Sequence, residues 1–184
     1  MAWGRPRSLT LLGVAFALCI CGAAWLKTRQ LAGVAKRAEM LPPGFELPRA
    51  AFDREAFEAA PGVADSLARS EFRQAVQWHQ HGDDAAARRA LLRILRREPQ
   101  WGRARFQMGV VQLRLGFPLV AAQDFERARA AGFAPAEESL DWWLAVAEIY
   151  NGRPDRAREL LAAIRSGPRA ESAAEILQRL ESIR

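Results

Sequence analysis

Gly82-Asp83-Asp84-Ala85-Ala86-Ala87 returns in altered form as Gly116-Phe117-Pro118-Leu119-Val120-Ala121, and again as Gly152-Arg153-Pro154-Asp155-Arg156-Ala157. Each copy opens on glycine and closes on alanine. A large residue follows four positions after the alanine: Leu91, Phe125 and Leu161. Three positions further come Ile94, Ala128 and Ile164. The glycines are 34 and then 36 residues apart. A period of that size is the length of one helical hairpin. A lone hairpin cannot cover its own apolar face, so such copies must stack on one another. The expected fold class is all-α, an α-solenoid of three hairpins.

Working outward from these turns, the sequence reads as helices over Asp65–Gln80, Asp84–Arg97, Trp101–Leu115, Pro118–Ala131, Ala136–Tyr150, Pro154–Ile164 and Ala170–Ser182. Gly82, Gly116 and Gly152 supply the permissive backbone needed just past a helix end. Pro118 and Pro154 fall in a first helical turn, where a missing N–H costs nothing. Asp83 and Asp84 read as helix-capping residues. Glu137, Glu138 and Asp141 place negative charge near a helix start, where it is favoured. Pro99, Gly132 with Pro135, and Gly167 with Pro168 close the three hairpins.

Over residues 68 to 169 this pattern resembles the tetratricopeptide repeat family, with 170–184 as a C-terminal capping helix. The resemblance rests on Ala75, Gly109 and Ala145 as the small residue of each first helix. It rests also on Gly82, Gly116 and Gly152 in the turns, on Ala87, Ala121 and Ala157 in the second helices, and on Leu91, Phe125 and Leu161 after them. It implies a right-handed solenoid whose first helices line a concave groove. The chain departs from the family where bulky residues flank the small site: Glu71, Arg105 and Asp141 stand before it, and Trp78, Gln112 and Glu148 after it.

One apolar stripe recurs on the first helices. Phe72, Val76 and His79 correspond to Phe106, Val110 and Leu113, and these to Trp142, Val146 and Ile149. Offsets of four and seven put each trio on one helix face. Helical spacing alone leaves two arrangements open. Either the stripe lines the groove, or the trios pack between adjacent hairpins. In the first arrangement Arg69, Arg73, Arg103 and Arg114 edge the groove, and Trp143 and Tyr150 lie at its far end. The surface would then suit an apolar or amphipathic peptide with some acidic character. A clamp for a C-terminal carboxylate, as some tetratricopeptide domains have, is not expected, because Phe72 and Val76 stand where it needs polar side chains.

Leu9 to Leu26 is a run of 18 residues without a charge. As a helix it would be about 27 Å long, close to the hydrocarbon thickness of a bilayer. Trp3 and Trp25 lie near its ends, where indoles favour the interface. The expectation is a single-pass membrane anchor over 1–27, with a signal peptide cut near Ala23 or Ala24 as the alternative. Residues 28–64 read as a Pro-containing stalk, with Phe52 and Phe57 able to dock on the helical domain of 65–184. The near flanks carry more basic residues after the run than before it, which favours a cytoplasmic domain. A short basic start before an apolar run is also how exported chains begin, and the domain is expected outside the cytoplasm.

Charge and composition exclude several functions. The net charge is +6, but Arg5, Arg7, Lys27, Arg29, Lys36 and Arg37 all precede the first acid, Glu39. The remaining basic residues number 27 − 6 = 21 and balance the 21 acids, so the rest of the chain sums to zero and makes no case for nucleic-acid binding. Cys19 and Cys21 lie inside the apolar run and cannot staple the domain. His79 and His81 point about 200° apart on a helix, so a metal site is not expected. No phosphate loop, nucleophile motif or paired-carboxylate site is evident. No cofactor, no small-molecule substrate and no catalysis are expected. The expected function is a membrane-anchored scaffold that binds a protein partner, as an assembly factor or accessory subunit of an envelope complex. The alternatives are a constitutive structural subunit of a larger membrane complex, or a soluble exported protein after signal cleavage.

Overall fold

The computed structural model describes residues 40–43, 45–50, 66–135, 139–167 and 169–183. The apolar run at Leu9–Leu26, the stalk aromatics Phe52 and Phe57, and Glu137, Glu138 and Pro168 lie outside them. Among the described residues there are seven helices and no strand. They are α1 (Ser66–Gln80), α2 (Asp84–Arg97), α3 (Gly102–Arg114), α4 (Pro118–Ala130), α5 (Leu140–Tyr150), α6 (Pro154–Ala163) and α7 (Ala170–Ser182). None of these helices is long and apolar enough to cross a membrane.

The helices pack in chain order. Each lies on its predecessor and successor, and α3 also touches α1 and α5. The turns show why. Gly82, Gly116 and Gly152 have φ values of +88°, +82° and +74°. At each, the glycine N–H bonds back to the carbonyl three residues earlier, and the next N–H bonds to the carbonyl five residues earlier. In the first turn these are Gly82 to His79 at 3.0 Å and Asp83 to Trp78 at 2.9 Å. The second and third turns repeat the pattern on Leu113 with Gln112, and on Ile149 with Glu148. This pairing satisfies carbonyls that a helix end leaves open, and a glycine takes the left-handed backbone without strain. Pro118 and Pro154 then open α4 and α6.

The small residues of the first helices permit close approach. A Cβ added to Gly109 would sit 2.6 Å from the Phe125 ring, which is itself fully buried. The core forms two clusters. One joins Phe72, Ala75 and Val76 to Leu91, Ile94 and Met108, with the Trp101 ring tilted against that of Phe72 at 5.0 Å. The larger runs from Phe106 and Phe125 through Trp142, Trp143 and Ile149 to Ile176 and Leu180.

The charged residues that flank the small sites of the first helices have a physical account. Glu71 pairs with Arg97, Arg105 with Asp124 at 2.9 Å, and Asp141 with Arg129. Each ion pair ties a first helix to a neighbouring second helix. Glu148 pairs with Arg153 at 3.3 Å, and Trp78 packs at the edge of the first cluster.

Candidate functional site

The apolar stripe is core. Phe72, Val76, His79, Phe106, Val110, Leu113, Trp142, Val146 and Ile149 are all at most 4% exposed. These residues therefore present no open surface, and at Trp142 part of the cover is the chain's own Phe45. Burial follows from composition: with so many alanines in the second helices, the first helices must supply the bulk of the core. Tyr150 is partly buried against the same cluster, and burial raises its pKa above the ordinary value. Trp143 is fully buried. Arg69, Arg73 and Arg103 are half-buried, and Arg103 lies over the Phe133 ring at 5.5 Å.

What lies on the first helices is the chain's own segment 40–50. It begins with a turn closed by the Phe45 N–H on the Pro42 carbonyl at 3.0 Å. From Phe45 to Ala50 it has neither helix nor strand. Met40, Leu41 and Ala50 are buried in the larger core cluster, and Phe45 and Leu47 pack against it. The Phe45 ring lies 6.1 Å from that of Trp142, near the start of α5. The Leu47 carbonyl accepts from Arg114 Nη1 at 2.6 Å, at the end of α3. The Arg49 Nε donates to the His79 carbonyl at 3.1 Å, at the end of α1. The strap thus crosses from the third hairpin to the first.

The polar end of the strap rests on a buried network. His79 Nδ1 lies 2.5 Å from Asp84 Oδ1, and Arg114 Nε donates to Asp84 Oδ2 at 3.1 Å. A carboxylate only accepts, so the Nδ1–H is on histidine and Nε2 is the bare nitrogen. That Nε2 is buried and has no partner among the described residues. Burial lowers the His79 pKa below 6.5, against the opposing pull of Asp84. Asp84 therefore departs from its expected role. Asp83 alone caps α2, accepting from the Ala86 N–H at 2.9 Å. Asp84 turns inward because His79 and Arg114 each offer it a donor in a site that water barely reaches. Arg114, expected at a groove edge, joins this network to the strap.

The apolar end rests on Trp142. Its indole N–H donates to Ser172 Oγ at 3.2 Å, the Arg169 guanidinium lies 4.6 Å over its ring, and Trp143 meets it edge-on at 5.1 Å. Reading the sequence missed Phe45, Leu47 and Arg49, and also Asp84, Arg169 and Ser172, as members of this region. The signal available was a polar pair, His79 and Asp84, at repeat positions where the other copies hold Leu113 with Pro118 and Ile149 with Pro154.

A second surface lies on the outer face of α2, where Arg89, Arg93 and Arg96 surround the exposed Leu92 in a shallow hollow. On α6, by contrast, Arg156 pairs with Glu159 at 3.0 Å and Arg158 pairs with Asp155. Among the described residues, no three His, Cys, Asp or Glu side chains converge as a metal site would require. No protein-family model matches the chain, and no curated protein matches it.

Proposed function

We propose that the chain is a membrane-anchored, non-catalytic scaffold of the tetratricopeptide type. Its right-handed solenoid would hold a protein partner at the membrane, as an assembly factor or accessory subunit of an envelope complex. The apolar run Leu9–Leu26 serves as the anchor, and the helical domain lies outside the cytoplasm. The observation that carries this reading is the strap seated across three successive first helices. A row of helices that takes one stretch of polypeptide, partly through its main-chain carbonyl, offers geometry suited to another.

The test is in-cell cross-linking of the full chain, followed by purification from detergent-solubilised membranes. The expected product is a discrete adduct with a membrane or envelope protein, linked through α1, α3, α5 or the strap. Recovery of the chain alone would sink the scaffold reading. Protease added to spheroplasts should degrade the helical domain; protection until the membrane is dissolved would place it in the cytoplasm.

A further inference from the structure

The strap is seated through side chains more than through main-chain bonds, with Met40, Leu41 and Ala50 buried in the larger core cluster. Among the described residues its single internal main-chain bond is Phe45 to Pro42. It adds no strand to a sheet and no turn to a helix. The first core cluster, around Phe72 and Leu91, contains no strap residue at all. The helix-to-helix ion pairs Glu71–Arg97, Arg105–Asp124 and Asp141–Arg129 are likewise independent of it.

Its contacts also read as a recognition code. Leu41 is buried, Phe45 follows four places on against Trp142, and Arg49 follows four places beyond that on the His79 carbonyl. Between them, Arg114 grips the carbonyl of Leu47, a group that every residue carries. Pro42, Pro43 and Pro48 restrict the segment when it is free, which reduces the entropy lost when it is seated. We infer that the face formed by α1, α3 and α5 is a binding site for an extended partner segment of this chemistry, with a bulky aliphatic residue, an aromatic and an arginine at four-residue intervals. Residues 40–50 are its resident occupant, and the partner displaces them. The inference rests on the scaffold reading for its biological meaning, but its test needs no partner.

The test uses the full chain in detergent and a fluorescein-labelled peptide with the sequence of residues 40–50, followed by anisotropy. In the wild type the resident strap competes, and apparent affinity falls by the fraction of chains with the face open. Replacing the strap's own anchors in the double variant Leu41→Ser/Phe45→Ser should raise peptide affinity at least about tenfold with the helical circular dichroism unchanged. The same peptide carrying both serines should not bind. Should the double variant lose helical signal, Phe45→Ser alone is used, since that ring is only partly buried, and the same rise is expected. Equal affinity for wild type and variant, or no binding to a folded variant, would overturn the inference. Concentration-dependent dimerisation of the wild type would also overturn it, since a second copy's strap would then be the occupant. Peptide binding without any cross-linked partner would defeat the scaffold reading and leave this inference standing; a cross-linked partner with equal peptide affinities would do the reverse.

Discussion

The first and third hairpins share their architecture and differ in what holds the strap. Ala75 and Ala145, Gly82 and Gly152, Ala87 and Ala157, and Leu91 and Leu161 fill the same places in both. At the end of the first helix they part. The third hairpin puts the fully buried Ile149 there, and Pro154 opens the next helix. The first hairpin puts the fully buried His79 there and uses Asp84 in place of the proline. The third hairpin receives the strap on an indole, through shape and apolar contact. The first receives it through a carbonyl and a charged network that reaches across to Arg114. A repeat needs neither His79 nor Asp84 to fold, as its other copies demonstrate. That pair is where the chain gives up regularity in order to position another segment.

The apolar side of this comparison should break hardest. Trp142→Ala removes a buried indole that touches Phe45, Trp143 and Ser172. It should destabilise the domain by about 3–5 kcal/mol, measured by urea unfolding. Asp84→Ala strands the His79 Nδ1–H and the Arg114 guanidinium, and should cost about 3 kcal/mol. Installing the other hairpins' solution, His79→Leu with Asp84→Pro, should restore part of that loss, because it removes the stranded Nδ1–H while Arg114 keeps its bond to the Leu47 carbonyl. A double variant as unstable as Asp84→Ala would mean that the pair itself holds the hairpin together.

Two smaller effects sharpen the picture. Gly109→Ala gains about 1 kcal/mol in helix propensity. It also drives a methyl into Phe125, an overpacking that costs about 1–3 kcal/mol, so a modest net loss in melting temperature is expected. Phe125 is fully buried and has little room to yield. The smallest effect is the pH dependence of His79. Its folded pKa lies below the unfolded value of 6.5. The unfolded chain therefore binds the extra proton first, and stability must fall as pH drops below 6.5 towards the folded value. The His79→Leu/Asp84→Pro variant should lose that component of the slope. A slope unchanged by the double substitution would show that other groups carry it.

The turns, the second helices and the close-packing small residues were legible because they obey local backbone rules. Gly82, Gly116 and Gly152 needed only their spacing and their place after an apolar run. The inner stripe was legible as a stripe, but a period of 3.6 cannot tell Phe106 in a core from Phe106 in a groove. The strap could not be read at all. Its contacts join residues 30 and 67 positions apart, Arg49 with His79 and Leu47 with Arg114, and they follow no period. The one trace of them in the sequence is the polar His79–Asp84 pair at positions that are apolar and proline in the other copies.

Trypsin cleavage after Arg49, followed by mass spectrometry, addresses the strap most directly. In the wild type the bond should be cut at least about tenfold more slowly than in a free peptide spanning the same bond, because cleavage must wait for the strap to open. In the His79→Leu/Asp84→Pro variant, with its helices intact, cleavage should be faster than in the wild type, because Arg114 loses the carboxylate that holds it against the Leu47 carbonyl. Cleavage in the wild type as fast as in the free peptide would contradict the account, since the strap would then not be held. Equal protection in the variant would show that His79 and Asp84 do not hold it.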